Sequence, residues 1–342
     1  MDSPAPSLAS VRRPIALPDH APPLLFVVID TEEEFDWGAP YSRANTSVTA
    51  MKHIGRVQHI FDRYHLKPTY VVDYPVAHKP EGAAPLREIQ AEDRCTIGAH
   101  LHPWVTPPYE EILNTANSFA CNLPTPLERA KIQALGEVIE ERFGLTPRVY
   151  KAGRYGLGAQ SLATLKALGY EVDTSINPHM DFSPQGGPSF TAFDAAPAWL
   201  TEDGTHVFSL PCSGGFVGAA GAWGRHLHAM ASTRWLERAK AVGILSRLGV
   251  TNRVMLSPEG NSLDEMKALA RALWSRGLRT FSLTFHSPSV APGHTPYVRT
   301  HEDLQAFLSR IDAFCEFFFR ELGGRPGRPL ELRSSLLKES AR

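Results

Sequence analysis

The sequence predicts an α/β barrel of parallel strands, and three observations predict it. The length of 342 residues suits one barrel with insertions. Apolar runs of strand length alternate with amphipathic segments of helix length over most of the chain. Polar residues able to do chemistry recur where those apolar runs stop.

The first strand is "LLFVVID" (24–30), a continuous apolar run of the kind expected for a strand buried on both faces. Residues 48–65 follow, with Met51, Ile54, Val57, Ile60, Phe61 and Tyr64 at helical spacing. The alternation then repeats. It gives strand 68–73, a helix at 85–93, strand 95–100, helix 126–144, strand 147–153, helix 159–169 and strand 170–176. A stretch rich in Gly and Pro (178–198) interrupts the pattern. Beyond it come strand 205–211, a long helix over roughly 231–248, strand 253–258 and a helix at 262–277 opened by a capping serine. Strand 279–286 closes the series, before a final helix at about 301–320. No internal repeat and no dividing linker is visible, so residues 23–322 read as one barrel, 1–22 as a flexible arm and 323–342 as a tail.

Composition narrows the function. A net charge of −1 offers no basic footprint for nucleic acid. No apolar run approaches the roughly 20 residues needed to span a membrane, and the Pro/Ala/Ser-rich N-terminus does not read as a signal peptide. Four cysteines, widely spaced and without C-x-x-C, suit a reducing cytoplasm.

The strand ends carry the informative residues. Asp30 and Glu32 follow the first strand, and His100 and His102 end the third. Lys151 and Arg154 end the fourth, Asp173 and Ser175 the fifth, and His286 the last. In parallel barrels the C-terminal rim carries the chemistry, because its loops vary while the packed strands hold position. On a strand, residues two apart leave the same face, so H-x-H at 100–102 can grip one ion. Two carboxylates with two imidazoles form an N/O donor set suited to zinc. A second H-L-H, His226 and His228, falls in a stretch that reads as helix, where residues two apart diverge. Trp37, Trp104 and Tyr155 lie near the same rim and are candidates to stack on a ring of a bound ligand or simply to pack.

In their order, these residues resemble the motifs of the polysaccharide deacetylase superfamily, the NodB-like carbohydrate esterases, and more narrowly its WalW-like branch. "VVIDTEEEFDW", "IGAHLHPW", "YKAGRYG", "VDTS" and "LTFHSP" are similar to that family's five motifs, and the likeness runs over about 24–320. It implies a distorted (β/α) barrel of about seven strands that removes an N-acetyl group from an amino sugar with one divalent ion, zinc by preference. In that reading Glu32, His100 and His102 hold the metal, Asp30 is the general base and His286 the general acid. Lys151 or Arg154 orients Asp30, Asp173 supports His286, and the Tyr155 backbone faces the oxyanion.

Three positions depart from the family pattern. Thr31 replaces a second aspartate, Trp104 stands where the second histidine is usual, and Lys151 replaces a common arginine. The same superfamily leaves two other outcomes open, hydrolysis of small cyclic amides and a carbohydrate-binding barrel without turnover.

Overall fold

Residues 7–202, 204–218 and 252–340 are described by the structure, a computed structural model. The expected helix at 231–248 and the pair His226 and His228 lie outside these residues. The strands are β1 (Arg12–Pro14), β2 (Leu24–Thr31), β3 (Thr69–Val72), β4 (Thr96–Leu101), β5 (Val149–Ala152) and β6 (Val172–Asp173). They continue as β7 (Ala198–Glu202), β8 (Thr205–Ser209), β9 (Gly214–Val217), β10 (Asn252–Met255), β11 (Thr280–His286) and β12 (Arg325–Pro326).

A ten-stranded sheet runs in the order β1-β7-β8-β6-β5-β4-β3-β2-β11, with β12 paired to β2 off that path. From β8 to β11 every pairing is parallel, which gives seven parallel strands. The ring is distorted where it closes. Between β11 and β8 the antiparallel pair β9–β10 intervenes, and single bonds bridge the gap: Thr284 N–H to the Leu256 carbonyl, and Leu256 N–H to the Ser213 carbonyl. The molecule is a mixed α/β barrel.

Period-two alternation separates two cores. Leu25, Val27 and Ile29 of β2 face outward to a large cluster with the helices, including Phe307 and Ile311. Phe26 and Val28 face inward with Val71, Val149, Val172 and Phe208. Each such fully buried side chain contributes about 1.5–3 kcal/mol. Leu332, from the C-terminal helix Pro329–Ser340, joins the inner cluster. Asp30 continues the inward series of Phe26 and Val28, so the strand that builds the core turns a carboxylate toward the barrel interior at its C-terminal end.

Some elements differ from the sequence reading. The helix expected over 48–65 divides into a 3-10 turn, Thr49–His53, and a helix, Gly55–Arg63. Ser262 caps Leu263–Ser275 with a reciprocal bond from Glu265. The Gly/Pro-rich stretch ends in β7, an antiparallel partner of β8 that the fading pattern concealed. Within the stretch read as an arm, Arg12–Pro14 pairs with β7, while Leu8 and Val11 are buried. Within the stretch read as a tail, Arg325–Pro326 pairs with Leu24 and Leu25, below the point where β3 begins its pairing with β2. Both are short edge pieces carried by proline-bearing segments, which leave little periodicity to read.

Candidate active site

The register of the parallel strands assembles the site. His286 is the Cα partner of Asp30, and His100 is the partner of Lys151. With Glu32 and His102 just past their strand ends, these residues meet at one end of the barrel. The cavity there measures about 620 Å3, within the usual range for small-molecule sites. Asp30, Glu32, His100, His102, Arg154, Tyr155, Trp37, Trp104 and His286 all border it.

Asp30 is 3% exposed and ion-paired to Lys151, whose Nζ lies 2.5 and 2.8 Å from the two carboxylate oxygens. Burial alone would raise the Asp30 pKa, but Lys151, helped by His100 and His286, holds it below the usual carboxylate value. Burial likewise opposes the Lys151 charge, and Asp30 outweighs it, so that pKa is raised. The carboxylate is therefore kept ionised.

Glu32, His100 and His102 form a buried cluster whose donor atoms lie within 4.8 Å of one another. Each histidine Nε2 stands 3.4 Å from Glu32 Oε2. Donors around a tetrahedral zinc at 2.0–2.1 Å stand about 3.4 Å apart, so this set matches a divalent ion in spacing as well as in chemistry. Both outer nitrogens are already engaged: His100 Nδ1 with the Lys151 carbonyl at 3.1 Å, and His102 Nδ1 with Glu33 Oε2 at 2.7 Å. Such bonds fix the tautomer that leaves Nε2 free for a metal. Burial lowers the His100 pKa and brings His102 to about 4, so both are neutral, as ligation requires. Glu32, pushed up to about 7 by burial, is oriented by Ser287, whose hydroxyl accepts its backbone N–H at 3.1 Å.

His286 is held by a residue that the sequence reading did not select. Glu259 accepts from His286 Nδ1 at 2.7 Å and from its backbone N–H at 3.2 Å, and takes the Ser289 hydroxyl at 2.5 Å. Burial opposes the imidazolium, but Glu259, with Glu32 and Asp30, raises the His286 pKa to about 10. Asp173 does not take this place. In β6 Val172 fills the inward slot, so Asp173 shares the outward register of Tyr150 and Ser209, and it bonds Ser175 at 2.5 Å. Burial raises its pKa to about 6.

Arg154 does not orient Asp30 either, because Lys151 occupies that position. Its guanidinium bonds Ser118, Thr115 and Gln185 and lies over the Phe119 ring at 4.0 Å. Trp104, 1% exposed, donates its indole N–H to Glu33 at 2.7 Å and packs on His102 with ring centroids 4.2 Å apart. It braces the site and offers little surface to a sugar. Trp37, 36% exposed, stands edge-on to His286 at 4.7 Å and is open to a ligand. Tyr155 stacks on Phe182, with Lys151 Nζ 5.3 Å from its ring centre.

Glu33 is the second residue that the sequence left inside an undifferentiated acidic loop. It joins His102 to Trp104, and Asp73 accepts its backbone N–H at 2.6 Å. One signal for Glu259 was present: it follows the strand at 253–258 as Glu32 follows the first.

Comparison with solved structures places this geometry on a known scaffold. A crystal structure from Mycobacterium smegmatis, assigned as a polysaccharide deacetylase, matches with a TM-score of 0.51 at 17% identity, covering 88% of this chain and 87% of that one. The barrel is NodB-like. A 4-alpha-glucanotransferase from Thermococcus litoralis matches with a TM-score of 0.52 at 11% identity, over 92% of this chain and 40% of that one. A CE4-family pseudoenzyme from Bacillus anthracis also matches, with a TM-score of 0.43 at 9% identity, over 91% of this chain and 66% of that one. At 17% identity the likeness to the Mycobacterium smegmatis structure establishes the fold alone. No family model and no curated protein matches the sequence. No helix among the described residues is long and apolar enough to cross a membrane.

Proposed function

We propose that the barrel at 23–322 is a metal-dependent hydrolase of the WalW-like branch, removing an N-acetyl group from an amino sugar of a glycan or glycan precursor. One observation carries the reading: Asp30 Oδ2 and His286 Nε2 lie 3.7 Å apart on the wall of a cavity that also holds the Glu32, His100 and His102 donor set. Zinc suits two imidazoles and one carboxylate, and when bound it supplies Lewis acidity and a water of lowered pKa.

The chain's own residues then divide the proton work. Asp30 takes a proton from the attacking water as its oxygen bonds to the acetyl carbon. Lys151 keeps that carboxylate charged and aimed. The C–N bond breaks as His286 Nε2 delivers a proton to the departing nitrogen, so acetate and a free amine leave together. Glu259 holds the imidazole by Nδ1, which leaves Nε2 toward the substrate. We assign support of the oxyanion to the backbone at Tyr155 and stacking of the sugar to Trp37. Four free cysteines fit a cytoplasmic setting.

The test is acetate release from N-acetylated oligosaccharides by protein stripped of metal and reloaded with zinc, cobalt or manganese. Acetate and primary amine formed in equal amounts, and lost on chelation, are the expected result. Binding of these sugars without acetate under every metal would overturn the enzymatic reading.

A further inference from the structure

Arg154 stands out among the charged groups of the cavity wall. Asp30 meets Lys151, Glu32 meets the two histidines, and His286 meets Glu259. Arg154 meets no carboxylate within 4.0 Å among the described residues; its acceptors are the Thr115 carbonyl, the Ser118 hydroxyl and the Gln185 side-chain oxygen, all neutral. A guanidinium has five N–H donors, so N–H groups are left unspent. The group is half-buried, and packing on Phe119 at 4.0 Å and near Tyr41 at 5.3 Å fixes its plane. A half-buried, immobilised cation that borders a cavity without a counter-charge is matched by a ligand that brings one.

The backbone supports the same view. Arg154 and Tyr155 are successive non-glycine residues in the left-handed region, with φ of 52° and 60°. Such conformations persist only where their surroundings impose them, and they gather at ligand clamps. Here they turn the chain just after Lys151, so that Lys151 points inward to Asp30 while Arg154 bonds Gln185 and Ser118 instead, on the cavity wall.

We propose that Arg154 receives an anionic group, carboxylate or phosphate, carried by the N-acetylated sugar, so that the substrate is an acidic glycan or a sugar phosphate. This rests on the deacetylase reading for the sugar, but not for the anion. Arg154 is then a specificity residue, and its positive charge with its unspent N–H donors favours oxyanions over hydroxyls.

The experiment uses full-length, zinc-loaded protein and three probes: methyl N-acetylglucosaminide, N-acetylglucosamine 1-phosphate and N-acetylmuramic acid. Acetate release and calorimetric binding are both measured. One anionic probe is expected to exceed the neutral one by about 10-fold or more in kcat/KM, mainly through KM, with a matching gain in affinity. Which anion wins tells phosphate from carboxylate. Arg154→Gln brings the preference to near unity, Arg154→Lys retains part of it, and added salt weakens it in the native protein. Should Arg154→Gln fail to fold, the native protein's preference and its salt dependence decide. Equal handling of neutral and anionic probes, or binding of none, overturns the inference, and acetate from the neutral sugar would leave the deacetylase reading standing. Arg154-dependent anion binding without acetate from any probe would uphold the inference and sink that reading.

Discussion

Asp30 and His286 are register partners on adjacent parallel strands, and the imidazole Nε2 lies 3.7 Å from the carboxylate Oδ2. The two groups proposed to take and to give a proton are thereby set by strand pairing, with no loop between them. Lys151, from β5, closes on the same carboxylate from across the barrel. Replacing Asp30 by Asn therefore has two separable effects. Loss of the base is expected to lower kcat by about 10²–10⁴. The Lys151 ammonium, 1% exposed, is left buried without its partner, which destabilises by about 3–5 kcal/mol. The double variant Asp30→Asn/Lys151→Met should recover most of the stability and none of the activity, read by urea midpoints and acetate release. Recovery of activity would show that Asp30 is a structural ion-pair partner only.

Glu259 is expected to set the basic limb of the site's pH profile. A histidine whose folded pKa is raised adds stability that is whole below its ordinary value near 6.5 and fades as pH climbs toward about 10. Glu259→Gln removes the main opposing charge, so stability should vary less across that interval. The basic limb of kcat/KM should fall by about one unit or more. Asp173→Asn, directed at a carboxylate that bonds Ser175 instead, should leave that limb in place. A shift in the Asp173 variant and none in the Glu259 variant would reverse this assignment.

The sequence disclosed the strands that are long and apolar, and the polar residues that end them, because burial on both faces imposes a continuous signal. Thus Leu24–Thr31 was legible as a continuous apolar run, Thr280–His286 as an alternation of Phe281, Leu283 and Phe285 with Thr and Ser, and with them Asp30 and His286. Convergence was not legible. Nothing in the spacing of 259 and 286 shows that a turn carboxylate meets an imidazole on another strand. Nor does a run of three glutamates reveal that Glu33 turns to His102 while Glu32 faces the cavity. Asp173 misled for a physical reason: sequence places it at a strand end but cannot tell the inward face from the outward one without the register of Val172 against Val149. Arg154 lay within reach of Asp30 by chain position, yet two left-handed residues swing it away.

A carboxyl outside the site makes stability fall with rising pH as well, over a lower interval. Glu128 is fully buried in the helix Thr125–Phe143, takes the Ser161 hydroxyl at 2.5 Å on one oxygen and has no hydrogen-bond partner for the other among the described residues. Burial raises its pKa to about 7. The folded state thus prefers the protonated acid, and stability is lost as pH rises from the ordinary glutamate value through 7. Glu128→Gln cannot ionise. Whatever the amide costs in packing, that cost is the same at pH 5 and pH 8, so the variant should gain about 1–3 kcal/mol relative to the native protein between those pH values. Thermal or urea unfolding at both pH values measures the difference, and parallel curves would place the charge elsewhere.

Gly153 tests whether the His102 ring must stand where it does. A Cβ at this position would meet His102 Cδ2 at 2.3 Å and the Leu101 carbonyl oxygen at 2.5 Å, closer than real side chains approach. The ring cannot yield freely, since Glu33 holds its Nδ1 and Trp104 packs on its face. Gly153→Ala should therefore tilt Nε2 off the position it shares with His100 and Glu32. Metal affinity is expected to fall about 10–100-fold, the range seen when the support of a ligand is disturbed, with about 1–3 kcal/mol of lost stability from overpacking. Gly144→Ala separates the two effects. Gly144 caps the helix Thr125–Phe143 with φ of 66° and has open space around an added Cβ, so its substitution strains the backbone alone. It should cost about 1–2 kcal/mol and leave metal affinity unchanged. If zinc titration gave the same affinity for Gly153→Ala as for the native protein, the ion would have to sit away from His102, and the donor set proposed for it would be wrong.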